Sequence, residues 1–224
     1  LAVGKPVVVC LMAGSAIDLS EAQDKAAAVL QLWYPGARGG KAVADILFGD
    51  CSPSGKLPVT FYRTLEELPA FEDYTMKGRT YRYMEQEALY PFGYGLTYGD
   101  VQVEKAEIVR TDEGTGDTTV HVTVKNAGTA ATGDVVQIYV KDLKSPFAVP
   151  NHSLCAFARV FLKAGEGAEM DMTVSGNAFL AVNEEGMFVK GSGSYVLYVG
   201  TGQPDKRTES LSGKKCVEVP VTFS

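Results

Sequence analysis

WYPGARGGKAVADILFGDCSPSGKLPVTFY (residues 33–62) decides how this chain is read. It holds the end of an apolar strand, a glycine-rich turn, a short helix, a turn of Ser, Pro and Gly, and a second strand. That order of elements belongs inside a layered α/β domain, yet only about thirty residues precede it. A chain that enters such a domain so late is expected to be a piece of something larger.

Within this stretch, Gly40 to Phe48 places apolar residues at 43, 46 and 47, the i, i+3, i+4 stripe of an amphipathic helix. Gly49 ends it. Leu57 to Tyr62 reads as a strand, which Pro58 pushes toward a sheet edge because proline offers no N–H. Upstream, Val7 to Met12 is a continuous apolar run between Pro6 and Gly14, expected to be a parallel strand buried on both faces. Ser15 to Lys25 is polar and reads as a loop or short turn. Ala26 to Tyr34 reads as a second strand, ending at Pro35-Gly36. Residues 1–16 superficially resemble a signal peptide, but a single Lys followed by Pro6 and a run of valines suits a buried strand better.

Residues 63–99 have little periodicity and many aromatics, among them Phe71, Tyr81, Tyr90 and Phe92. They read as a connector pinned by those rings. From Val101 the texture turns all-β, with seven alternating segments: VQVEKAEIV, TTVHVTVKN, DVVQIYVKD, ARVFLKAG, AEMDMTVS, GSYVLYVG and CVEVPVTF. That pattern predicts an antiparallel sandwich of immunoglobulin or fibronectin type III kind. Tyr195, after a Gly-Ser turn, is placed like the tyrosine that staples one end of such sandwiches. The expected organisation is therefore α/β plus all-β. Residues 1–62 form part of an α/β sandwich, 63–99 an aromatic-rich connector, and 100–224 a fibronectin type III-like β-sandwich.

Composition narrows the function. The chain has 224 residues, 46% hydrophobic and 21% charged, with a net charge of −6. That is ample apolar content for a core, and the scattered basic residues argue against a nucleic-acid partner. No run approaches the length of a membrane helix. Cys10, Cys51, Cys155 and Cys216 lie far apart, as do His121 and His152, so neither a zinc site nor any other metal site is expected. Four free thiols and no visible leader lead to an expected cytoplasmic location.

The motifs that invite chemistry mostly dissolve on inspection. Gly36-Ala37-Arg38-Gly39-Gly40-Lys41 sits between strand and helix like a phosphate loop. The spacing is one residue short, however, and Ala42 stands where a hydroxyl should hold magnesium. Pro35, Gly36, Gly39 and Gly40 are accordingly read as a structural turn, and no cofactor is expected. The acidic pairs lie in polar loops, no nucleophile elbow occurs, and both histidines fall in the all-β part. Gly78 to Tyr83 (GRTYRY) alternates basic and aromatic side chains. In an extended conformation Arg79, Tyr81 and Tyr83 would share one face and Thr80 and Arg82 the other. These residues are read as either a substrate-proximal or an interdomain surface.

Laid out in order, WYPG at 33–36, Gly39-Gly40, ADILFGD at 44–50, SPSGKLPVTF at 52–61, GRTYRY at 78–83, LYPFGYGLTY at 89–98 and VKNAGTAATGDVVQIYV at 124–140 resemble the C-terminal portion of glycoside hydrolase family 3. The resemblance runs over nearly the whole chain. It implies a multi-domain retaining β-glycosidase of β-glucosidase or β-xylosidase type. In such an enzyme a barrel Asp attacks the anomeric carbon and an α/β-domain Glu acts as acid and base. Both would lie outside these residues, so no catalytic residue is carried over and the isolated chain is expected to be inactive. The implied partners are the barrel, the rest of the α/β sandwich and a β-linked glycoside, with self-association through an exposed sheet as a further expectation. The competing reading is a non-catalytic carbohydrate-binding or adhesion module. It would need an aromatic platform on the sandwich, whereas Tyr139, Phe147, Phe157, Phe161, Phe179, Phe188 and Tyr198 mostly read as core positions or their neighbours.

Overall fold

A computed structural model describes residues 4–223. The opening layer is small. Strands β1 (Val8–Leu11) and β2 (Ala28–Gln31) pair in parallel, joined by helix α1 (Ser20–Lys25). The parallel pairing is as the apolar runs predict. Of the polar stretch at 15–25, expected as a loop or short turn, residues 20–25 form a short helix. Leu19 is buried beneath it, and Glu21 and Lys25 pair one turn apart at 2.8 Å.

The expectation that the first strand is buried on both faces is corrected. Leu11 and Val29 pack toward a cluster of Leu19, Phe61 and Leu89, while Val8 and Cys10 on the other face of β1 are exposed. Met12, just past β1, is bare as well, at 66% exposure, as is Phe48 after the next helix, at 84%. A parallel pair of this kind ordinarily has both faces covered.

Helix α2 (Gly39–Leu47) follows, ending at Phe48 and at Gly49, whose φ of 85° only glycine adopts freely. The expected strand at 57–62 does not form. Leu57 and Phe61 do bond to the 89–94 segment, with Leu57 N–H donating to the Tyr94 carbonyl and Phe61 N–H to the Tyr90 carbonyl, both at 2.9 Å. Only one isolated bridge, Phe61 to Tyr90, results. Pro58 falls at the alternate position, whose N–H would point away from that partner, in keeping with a sheet edge.

The sandwich forms as the alternation predicts. Strands β3 (Val101–Thr111), β4 (Thr118–Asn126) and β7 (Gly167–Val174) make one antiparallel sheet in the order β3-β4-β7. Strands β5 (Thr132–Asp142), β6 (Ser153–Leu162), β10 (Ser194–Gly200) and β11 (Val217–Thr222) make the other, in the order β11-β10-β5-β6. Val120, Val122 and Val124 from one sheet meet Val136, Ile138, Leu197 and Val199 from the other in a fully buried core. β6 starts at Ser153, five residues before the alternating segment read from Ala158.

A small hairpin, β8 (Leu180–Val182) with β9 (Phe188–Lys190), lies between β7 and β10. The Tyr195 hydroxyl donates to the Phe179 carbonyl at 2.8 Å just before that hairpin, tying the start of β10 across the end of the sandwich. Helix α4 (Lys206–Ser212) precedes β11. Asp205 caps it by accepting from Thr208 N–H at 2.9 Å. Among the described residues no helix is long and apolar enough to cross a membrane.

Candidate functional site

The chemistry-bearing side chains gather where the 52–61 and 78–99 segments lie against the four-stranded sheet. β5 is buried along nearly its whole length on both faces. Its core face carries Val136 and Ile138, while Gln137 and Tyr139 take the outer face beneath the connector. Gln137 Nε2 donates to the Gly93 carbonyl at 3.0 Å, and its Oε1 accepts from the Tyr139 hydroxyl at 2.6 Å. Burial pushes the Tyr139 phenol far above its ordinary pKa.

Onto this floor the connector lowers Tyr81. The GRTYRY segment is not extended, as its alternation suggests. It turns through a one-turn helix α3 (Thr80–Tyr83) entered at Thr80, whose φ of 55° reverses the chain. Tyr81 therefore faces the sandwich. Its ring stacks on Phe92 at 4.3 Å and meets Tyr139 edge-on at 6.1 Å, and its hydroxyl accepts from Leu154 N–H at 3.0 Å. Asn151 clasps the same turn, donating to the Tyr81 and Met84 carbonyls at 2.9 and 2.8 Å. His152 lies edge-on to Tyr139 at 5.1 Å, and burial holds its pKa below the usual histidine value against a weaker raising effect of Gln203.

The other residues singled out from the sequence have different places. The Arg79 guanidinium donates to the carbonyls of Ala70, Asp73 and Thr75, pinning the preceding loop to itself. Arg82 is exposed, its guanidinium carbon 5.8 Å from the Tyr81 ring centre, and Tyr83 is half-buried. So α3 brings Tyr81 to the seam and Arg79 does not share its contacts. The turn residues are elsewhere. Gly36 has φ of 69°, and Gly39 is buried where a β-carbon would stand 2.6 Å from the Pro35 ring. A side chain at Gly40 would meet open space.

Sequence reasoning missed the strongest electrostatic feature. Lys56 and Asp134 pair at 2.8 Å with side chains 11% and 2% exposed. Lys56 also donates to the Gly95 carbonyl at 2.8 Å, and Asp134 accepts from Val135 N–H at 2.8 Å. Burial lowers the Lys56 pKa, with Asp134 working the other way. The available signal was an acid at the head of the nearly continuous apolar run 134–140, a position that demands a partner. Among the described residues no three His, Cys, Asp or Glu side chains are arranged to hold a metal ion. Cys155 and Cys216 are pushed up to about 12 by burial, which leaves them inert thiols.

The expectation for the sandwich aromatics is corrected in part. Tyr139 and Phe179 are buried, but Phe147, Phe157, Phe161 and Phe188 are exposed. In β6 the alanines at 156 and 158 pack on the core, which turns Phe157 and Phe161 outward.

The architecture is a parallel α/β layer held against a three-plus-four sandwich. Residues 1–98 match the glycosyl hydrolase family 3 C-terminal domain, and residues 134–203 match the fibronectin type III-like domain. The chain belongs to glycosyl hydrolase family 3, as its C-terminal portion. It is 41% identical to a xylan 1,4-β-xylosidase of Xylanibacter ruminicola over 94% of this chain and 24% of that protein. It is 32% identical to a periplasmic β-glucosidase of Salmonella typhimurium over 89% of this chain and 28% of that protein. Among solved structures, a β-glucosidase from Bifidobacterium adolescentis superposes with a TM-score of 0.82 at 30% identity, covering 96% of this chain and 32% of that one. A β-glucosidase from Erythrobacter marinus gives a TM-score of 0.79 at 31% identity, over 97% and 28%. The chain thus spans between 24% and 32% of the length of these relatives.

Proposed function

We propose that this chain is the supporting C-terminal part of a retaining β-glycosidase that removes terminal, non-reducing β-linked glucosyl or xylosyl residues. Its work is mechanical. Residues near the start complete an α/β layer, and the sandwich holds that layer rigid through Tyr81, Gln137 and the Lys56–Asp134 pair. The nucleophile and the acid/base carboxyl belong to the remainder of the enzyme, the barrel and the earlier part of the α/β layer.

The observation that carries this reading is the bare outer face of a parallel pair, with Val8 exposed on it and Met12 exposed just past its end. Leaving such side chains in water forgoes roughly 25 cal/mol per Å² of burial, so the surface suits the enzyme's own missing polypeptide. The named activities of the relatives, β-xylosidase and β-glucosidase, supply the substrate class. The test is a full-length enzyme carrying this segment, assayed on aryl β-D-xyloside and β-D-glucoside. Activity should require the segment, and a variant lacking residues 1–224 should lose it. An enzyme fully active without the segment would refute the supporting role.

A further inference from the structure

The outer face of the four-stranded sheet is covered along β5 and left bare along β6. On β5, Gly133 is buried, and a β-carbon there would stand 3.4 Å from the Ser54 side chain. Gln137, two residues past Val135 on the same face, is sealed beneath Gly93. Their partners across the ladder are Phe161 and Phe157, which are 73% and 70% exposed. Midway between those rings, which stand about 13 Å apart along the strand, the Arg159 guanidinium donates to the Ser54 hydroxyl. The seam therefore stops at the border of an apolar patch.

The strand beneath the patch has little protection of its own. β6 ends its sheet, with β5 its only paired neighbour among the described residues. Its register shift lies before Phe157, and Ser153–Leu162 holds neither Lys nor Pro, the residues that usually guard an exposed edge. Among the described residues the Arg159 guanidinium meets one neutral hydroxyl, which leaves most of its five donors for a further partner.

We propose that this face docks polypeptide of the same enzyme lying outside these 224 residues. The docked surface is apolar, to seat Phe157 and Phe161, and carries a carboxylate for Arg159. Two observations select that occupant. The patch continues the seam already formed by the Arg159–Ser54 contact and by Ser52 with Thr132 at 2.7 Å, so an extension of the α/β layer would run onto it. The chain also spans only 24% to 32% of its relatives' length. A second copy fits poorly. Antiparallel pairing that sets Phe157 against the copy's Phe161 also sets Arg159 against Arg159, and like charges directly opposite repel. The inference rests on the reading of this chain as part of a longer enzyme.

Hydroxyl-radical footprinting of a full-length enzyme carrying this segment tests it, with sedimentation velocity to establish the oligomeric state. In the monomeric enzyme, Phe157 and Phe161 should lose their labelling, relative to the urea-unfolded enzyme, as completely as the buried Phe179 does. Free labelling of either ring would overturn the proposal. Protection that appears only in a dimer and vanishes on dilution would overturn it in favour of a second copy. Protection that appears only after a separate protein or glycan is added would overturn it as well. The footprint is read without substrate, so it can fail while turnover still requires the segment.

Discussion

Lys56 and Asp134 meet at 2.8 Å, the lysine from the turn after α2 and the aspartate from the first residues of β5, with both side chains nearly sealed from water. This pair fastens the α/β side of the molecule to the sandwich. Lys56→Met would leave the Asp134 carboxylate buried without its counter-charge, a loss of about 3–5 kcal/mol. Urea unfolding of the variant should show that loss. The double variant with Asp134→Leu should recover a substantial part of it, because removing both charges removes the desolvation penalty too.

Tyr195 supplies the next test. Its hydroxyl is the donor held by the Phe179 carbonyl at 2.8 Å, inside a cluster with Phe223. Tyr195→Phe keeps the ring packing and leaves that carbonyl only its longer bond from Gly191 N–H at 3.3 Å, which should cost about 0.5–1.5 kcal/mol in thermal or urea unfolding. An unchanged stability would mean the tie across the sandwich end is ornamental.

His152 predicts an acid limb. Burial sets its folded pKa below the ordinary 6.5, so the unfolded chain takes up the proton first. The stability tied to this group is complete above pH 6.5 and falls as the pH drops from there toward the lowered folded pKa. His152→Gln should flatten that part of the stability profile, whatever it does to stability at neutral pH. A profile between pH 7 and 5 with the same slope in both proteins would contradict the assignment.

Much of this architecture was legible because water faces only one side of most sandwich strands. Val120, Val122 and Val124 alternate with Thr119, His121 and Thr123, and that period of two has a single physical cause. What stayed hidden had causes that leave little local trace. Thr80 turns the chain at a φ that non-glycine residues seldom adopt, so the alternation of Arg79 to Tyr83 pointed to a strand that does not exist. Pro58 was visible as an edge signal, but the loss of the entire ladder around it depended on how the 89–94 segment lay alongside. The partner of Asp134 comes from the other side of the seam, and nothing near Lys56 announces it. The junction side chains, Gln137 and Asn151, look like ordinary polar residues until the connector is placed over them.

The bare apolar face should behave as an interface and not as a stability element. Phe48→Ser and Met12→Ser, both at well-exposed positions, should shift the unfolding free energy of this chain by no more than about 0.5 kcal/mol. In a full-length enzyme the same two substitutions should lower the unfolding temperature measurably. They should also reduce any self-association of the isolated chain in sedimentation velocity. Strong destabilisation of the isolated chain would place these side chains in a core of its own.

If these 224 residues support a glycosidase without performing its chemistry, they should be inert on their own. The most direct measurement is turnover of p-nitrophenyl β-D-xyloside and β-D-glucoside by the purified chain. The rate should be indistinguishable from buffer. Steady hydrolysis by the homogeneous chain would contradict it.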